Sequence, residues 1–342
     1  MAIDRPTLRL QDVAEAAGVS IATASRSLSR TSGVSASVAE RVRSVAREMG
    51  YVPNVHARSL AGGPSRSVGL VVHEIGDPYF AEIASGVMGV GDREGLTVQI
   101  CHTGRDPDRE LVQLRTLIAN RVGTIIVAGS GFVDPSMQAE ARRELQAYRR
   151  HGGRVAVIGR HHLGVDAVLP SNAEGAHDVT THLLGLGHRR IAVASGSRLL
   201  TTVADRLDGV WSAARDAGLD PTKLPVVEAE FTRAGGKVAA EVILDNHPDV
   251  TAVLALNDDM AIGILSVLRA RGVAVPGRVS VTGFDDVAVA GDLAPSLTTV
   301  RLPMADMGKQ ALLMALKEPS TRPRRRHARH ELVVRNSTAA PA

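Results

Sequence analysis

Cysteine, lysine and long apolar runs are what this chain of 342 residues has least of. Its one cysteine, Cys101, excludes an intrachain disulfide, and its place in the strand-like run T-V-Q-I-C-H predicts a small buried hydrophobe. No apolar run reaches the roughly 20 residues that a membrane helix needs. The chain opens without a basic segment leading into an apolar one, so a cytoplasmic protein is expected. Lysine supplies only four of the 40 cationic side chains. Nearly all the positive charge is arginine, whose planar fork suits phosphates and base edges. A nucleophile elbow, a P-loop and His/Cys pairs at metal-ligating spacing are also missing, which argues against an enzyme; neither a metal nor a cofactor is expected. G-V-G-D-R-E-G, residues 89–95, resembles a dinucleotide fingerprint only loosely, and it closes a helix where a fingerprint would open one.

The net charge of +4 sits at one end. Residues 1–66 hold nine arginines against five acids, which is the whole surplus, so residues 67–342 balance. A basic head on a neutral body is the distribution expected of a nucleic-acid module fused to a globular domain. The length suits a small module plus a larger two-lobed one.

The head is organised around L-Q-D-V-A-E-A-A-G-V-S-I-A-T-A-S-R-S-L-S-R, residues 10–30. Val13, Ala14, Ala16 and Ala17 recur at helical spacing, Gly18 stands where a helix ends, and Ser20 is placed to cap the next one. That is helix, tight turn, helix. The second helix, Ile21 to Leu28, is too short to order alone and packs through Val19, Ala24 and Leu28. Its other face presents Ile21, Ala22, Ser25 and Arg26, a cation for a guanine edge with small groups and hydroxyls around it. A third helix, roughly Ala36 to Met49, enters at Ser35 and carries the stripe Val38, Val42, Val45 and Met49. The segment Y-V-P-N-V-H-A-R-S-L-A-G-G-P, residues 51–64, reads as a hinge that becomes helical only when paired with its twin on DNA. Leu60 at its end is the expected minor-groove wedge.

From Ser67 onward, short β-branched runs alternate with amphipathic helices, first to about Ile158 and again from Asn172 to Thr282. Such alternation means parallel sheets with right-handed crossovers, and two runs mean two doubly wound lobes. A helix, Met304 to Leu316, and a strand, His330 to Val334, close the chain. The T-R-P-R-R-R-H-A-R stretch between them reads as a solvated loop. In open parallel sheets ligands bind beyond the carboxyl ends of the strands. Following each strand onward nominates Asp77, Tyr79, Phe80, Ser130, Arg160, Asn257 and Asp285, with Arg206 on the first turn of a nearby helix. Aromatics, two arginines, an amide and carboxylates suit a small polar ligand bearing hydroxyls or a carboxylate. Duller roles compete: Asp77 and Asp258 suit helix caps, and Phe80 suits the core.

At Q-D-V-A-E-A-A-G-V-S-I-A-T-A-S-R, V-S-A-S-V-A-E-R-V and G-Y-V-P-N-V-H-A-R-S-L-A-G the sequence closely resembles the LacI/GalR (lactose-repressor) family of bacterial transcription regulators. The likeness continues in G-D-P-Y-F, L-G-H-R-R-I-A, D-R-L-D-G, L-N-D-D-M-A-I-G, V-S-V-T-G-F-D-D, L-T-T-V-R-L-P and L-V-V-R-N-S-T. It implies a small all-α helix-turn-helix domain, residues 7–52, a hinge, 53–64, and an α/β two-lobed periplasmic-binding-protein-like domain, 65–342. The lobes are expected at about 66–162 with 295–325 and about 163–294 with 326–342. The resemblance also implies a homodimer on a near-palindromic double-stranded operator, switched by a sugar or other polar metabolite in the cleft, with no membrane contact. It assigns base reading to Ile21, Ala22 and Arg26 and the wedge to Leu60; Thr7, Ser20, Thr23, Ser25, Asn54 and Ala57 complete the DNA-contacting set. Asp77, Tyr79, Phe80, Arg160, Arg206, Phe231, Asn257 and Asp285 match cleft positions. Where many relatives have Asp before Arg160 this chain has Gly159, so a carboxylate that would grip sugar hydroxyls is missing. No heptad extension follows Thr338, and a coiled-coil tetramer is not expected. An exported solute-binding protein would share the lobes but not the head; a constitutive DNA binder would share both and lack the effector.

Overall fold

The computed structural model describes residues 8–29, 33–51 and 65–342. The chain divides into two compact units, Met1–Ser65 and Arg66–Ala342. Thr7, Asn54, Ala57, Leu60 and the expected hinge helix lie outside the described residues.

In the first unit α1 (Leu10–Ala16), α2 (Ile21–Ser29) and α3 (Ala36–Glu48) enclose Val13, Ala14, Ala17, Ala24, Val42 and Ala46. Gly18 makes the turn at φ +64°, a conformation glycine adopts without the Cβ penalty. Ser20 Oγ then accepts from the Thr23 amide at 3.2 Å, and Ser35 Oγ caps α3 through the Val38 amide. The small core explains why the helices are held only together: each of them alone is too short to be stable in water.

The second unit has two parallel sheets. The first lobe has a six-stranded sheet and the second a four-stranded one. In chain order the first lobe contributes β1 (Ser67–Val72), α4 (Pro78–Glu94), β2 (Thr97–His102), α5 (Pro107–Ala119), β3 (Thr124–Ala128), α6 (Ala139–Arg150), β4 (Arg154–Ile158) and β5 (Asp166–Pro170). The second follows with α7 (Asn172–Gly185), β6 (Ile191–Ser195), α8 (Thr201–Asp216), β7 (Val226–Glu228), α9 (Arg233–Asn246), β8 (Ala252–Ala255), α10 (Asp258–Ala270) and β9 (Ser280–Thr282). Then come β10 (Thr299–Arg301), α11 (Met304–Leu316), β11 (Arg325–Ala328) and β12 (Glu331–Val333). Strands β10 and β12 pair antiparallel, and α11 packs on α4 and β4. The chain thus passes between the lobes after β5, between β10 and α11, and between β11 and β12. One apolar cluster runs through both lobes, from Val68 and Ile83 to Val193 and Phe284.

Three expectations are corrected. The first lobe does not end at residue 162: β5 lies between β4 and β11, with Val168 buried at its centre. The stretch read as a solvated basic loop holds β11, whose Arg325 pairs in register with Ala167, so residues up to 328 belong to the first lobe. An edge strand has one hydrogen-bonded neighbour and keeps charged side chains in water, which hides it from any search for apolar alternation. Cys101 is half-buried rather than buried, because β2 is the other edge of that sheet.

Candidate functional site

On the first unit the outward face of α2 carries Ile21, half exposed, with Ala22 and Arg26 exposed beside it. Arg26 Nε donates to the Ala22 carbonyl at 3.2 Å, one turn back. Thr23 and Ser25 are partly covered, and Ser20 Oγ also lies 2.9 Å from Thr23 Oγ1. The exposed apolar side chain thus lies beside a guanidinium and an alanine, groups of the kinds that can meet base edges.

The second unit gathers its site at the carboxyl ends of both sheets. Asp77 caps α4, accepting from the Tyr79 amide at 3.0 Å, with Pro78 at the first helical position. That cap turns Tyr79 and Phe80 inward, where their rings meet edge to face at 5.0 Å. Ser130, after β3, accepts from the Thr202 amide at 3.0 Å and lies 3.1 Å from the Thr201 hydroxyl. Asn257 caps α10 through Met260, which settles the competition with Asp258. Asp258 is instead fully buried, accepting from Thr299 Oγ1 at 2.6 Å and the Val287 amide at 2.8 Å; burial pushes its carboxyl well above the usual range, and Asp285 adds to the push.

Arg206 is the hub. Nε donates to Asn172 at 3.0 Å, Nη2 to Asp285 at 2.8 Å and Nη1 to the Leu256 carbonyl, while the guanidinium lies 3.7 Å from the centre of the Phe284 ring. Burial pushes the Asp285 carboxyl up to about 7, Arg206 pulls it down, and Asp77 pushes it up again. Asp285 holds φ +112°, a region L residues rarely occupy, and such strain concentrates at functional sites.

Asp77, Tyr79, Phe80 and Ser130 from the first lobe and Arg206, Phe231, Asn257 and Asp285 from the second enclose one cavity. Arg160 is not in its lining. Its side chain turns to the rim and meets Asp205 of the other lobe at 2.6 Å, while its carbonyl accepts from Thr201 Oγ1 at 2.8 Å. Gly159, just before it, holds φ +113°, and a Cβ there would lie 2.0 Å from the Gly129 carbonyl oxygen. A side chain at 159 is therefore excluded by the backbone itself. Five lining residues are not among those nominated from the sequence, Gly129, Leu200, Thr202 and the two that carry charge or can carry it, His73 after β1 and Arg105 after β2. The strand-end rule reaches both when every strand is followed for three residues, His73 being the first beyond β1 and Arg105 the third beyond β2.

The lobes are shut. Val133 donates to the Leu199 carbonyl at 2.8 Å and Thr201 to the Gly131 carbonyl at 3.0 Å, a bridge of backbone bonds across the cleft. The space left inside is about 30 Å³, against roughly 300–1,000 Å³ for an ordinary ligand pocket. Among the described residues no group of three or more His, Cys, Asp or Glu is placed to hold a metal, and no helix is long and apolar enough to cross a membrane.

Residues 9–54 match the lacI family of bacterial regulatory proteins and residues 180–338 the periplasmic binding protein-like domain. The chain is 33% identical over 337 residues to the HTH-type transcriptional regulator DegA of Bacillus subtilis (strain 168), covering 96% of this chain and 98% of the relative. It is 31% identical to the HTH-type transcriptional regulator GalR of Escherichia coli (strain K12), covering 92% and 90%. The solved complex of the transcriptional regulator CelR with cellobiose matches with a TM-score of 0.70 at 30% identity, over 97% of this chain and 100% of that one. The lac repressor dimer bound to operator and the anti-inducer ONPF, at 24% identity, shares the fold with a TM-score of 0.81 over 97% and 99%. With about a third of its residues shared along nearly the whole length of such regulators, the chain belongs to the LacI family of bacterial transcriptional regulators.

Proposed function

We propose that the protein is a repressor that binds a near-palindromic operator as a dimer in the cytoplasm and is switched by a small polar metabolite in the cleft between the lobes. Residues 7–52 read DNA, 53–64 form the hinge with Leu60 as its wedge, and 65–342 take the effector and pair the subunits. Ser20, Ile21, Ala22, Thr23, Ser25 and Arg26 face the duplex, helped by Thr7, Asn54 and Ala57. No catalytic role is assigned to any residue.

The observation that carries this reading is the cavity itself. Its polar groups converge from two lobes joined by three passages of chain, and its 30 Å³ is too small for a sugar unless the lobes part. A ligand that enters must therefore change the separation of the lobes, and a population shift of that kind is how a binding event reaches a distant element. Coupling of about 1–3 kcal/mol alters operator occupancy severalfold to a hundredfold. Fluorescence anisotropy of labelled operator, titrated with a metabolite panel, tests it. A ligand that binds the cleft and moves operator affinity supports the switch, and saturating cleft ligands that leave the affinity unchanged indicate a constitutive DNA binder.

A further inference from the structure

The charged groups in the cavity are not equally committed. Arg206 has its donors on Asn172, Leu256 and Asp285, and Asp285 is spent on Arg206 in return. One oxygen of Asp77 is held by the Tyr79 amide. Arg105 is different. It forms a loose ion pair with Asp77 Oδ2 at 3.7 Å, outside hydrogen-bond reach, and its guanidinium makes no hydrogen bond among the described residues. The side chain is nevertheless only 16% exposed, is covered by the Phe231 ring of the opposite lobe at 5.7 Å, and hangs from a backbone at φ +61°. A guanidinium carries five donors, and leaving them unpaired in a buried place is costly.

His73 has the same problem on the same wall. It is 2% exposed, and Nε2 has no hydrogen-bond partner among the described residues. Burial first, and then the nearby charge of Arg105, hold its imidazole neutral by lowering it to about 3. A neutral imidazole in the cavity wall with an unpartnered nitrogen, beside a cation that makes no hydrogen bond, can donate to an anion.

We propose that Arg105 and His73 form an oxyanion subsite in the first-lobe wall, and that the effector is a hydroxylated metabolite bearing a single carboxylate, a sugar acid. The inference rests on the proposed effector cleft and narrows what fills it. A carboxylate suits the site better than a phosphate monoester, because the one cation without hydrogen bonds already faces Asp77, and Asp285 borders the same space; a dianion would meet these acids with twice the like charge of a carboxylate. The planar carboxylate also matches the guanidinium fork bidentately. Hydroxyls on the remainder of the ligand would meet Asn257, whose Nδ2 contact to the Phe231 carbonyl is long at 3.4 Å.

Calorimetry on the full-length protein tests this with D-gluconate and D-galacturonate, their neutral counterparts D-glucose and D-galactose, and D-glucose 6-phosphate. At least one acid should bind about tenfold or more tighter than its neutral counterpart and than the phosphate. Arg105→Gln should erase that margin and Arg105→Lys should keep part of it. Should the glutamine variant not fold, the margin in the unmodified protein must still shrink as salt is raised from about 0.05 to 0.5 M. Equal binding of neutral sugars, tightest binding of the phosphate, a margin that survives Arg105→Gln, or no binding by either acid overturns the subsite. A neutral sugar that binds and releases operator would sink the subsite and leave the switch standing, whereas failure to bind any operator would sink the proposed function itself.

Discussion

Arg206 donates through Nη2 to Asp285 Oδ1 at 2.8 Å, and neither side chain is more than 6% exposed. Removing one member of a buried pair strands the other charge, which costs about 3–5 kcal/mol. Asp285→Asn keeps the shape, and asparagine tolerates the left-handed backbone at this position better than most residues. At pH 8, where the Asp285 carboxyl is ionised, the variant should lose about 3 kcal/mol of stability in urea titrations and bind effector more weakly. A loss under about 1 kcal/mol would mean that the Leu256 carbonyl and the Phe284 ring suffice to hold Arg206.

Glu110 sets a pH dependence of its own. The side chain is 1% exposed, Oε1 accepts from Gln138 at 3.1 Å, Oε2 has no partner among the described residues, and burial pushes the carboxyl up to about 7. The folded state then holds a proton that the unfolded chain has released, so stability falls as pH rises from the unfolded value towards 7. That is roughly 3 kcal/mol lost between about pH 4 and pH 8. Two buried imidazoles act the other way: His161, lowered to about 4, and His73, to about 3, weaken the fold as pH drops below the ordinary histidine value. Glu110→Gln isolates the acid. The variant should be more stable than the parent at pH 8 and close to it at pH 5, and the opposite order would refute the assignment.

Gly159 faces a carbonyl oxygen where a Cβ would stand, at φ +113°. Gly159→Asp, which would place an acid before Arg160, should therefore destabilise the protein by about 2–4 kcal/mol and fail to create a sugar site. Thermal denaturation with and without neutral sugars checks it, and a stable variant with new hexose affinity would show that the Gly129 turn can give way.

Arg26→Ala should cost about 1–3 kcal/mol of discrimination at one base pair in each half-site, read by competition between operator variants. A uniform loss across sequences would place Arg26 on phosphate instead.

Much of the candidate cavity was legible because parallel sheets bind ligands at strand ends: Asp77, Ser130, Asn257 and Asp285 stand within five residues of one, and Tyr79 and Phe80 follow on the helix that Asp77 caps. Phe231 came only from the family resemblance, although it stands three residues beyond β7, where the strand-end rule also reaches it. Arg160 is drawn to the cleft by the same rule, but its side chain pairs with Asp205 across the lobes, a contact that no sequence pattern reports. Strands β5 and β11 escaped for a different reason. One is five residues ending in proline and the other is R-R-H-A, and pairing with a neighbour is the whole of their case for being strands. That the cleft is closed depends on bonds such as Val133 to Leu199, between backbone atoms common to every residue, so no reading of side chains could have foreseen it.

Because late segments of the chain return to both lobes, neither lobe is a transferable part. A chimaera cut at residue 171 would leave the first sheet without β11 and α11, and a stop codon before 304 would damage both lobes at once. Anyone rewiring this regulator by exchanging sensor modules has one sound seam, at residues 65 and 66, and recombination among relatives should have left its junctions there.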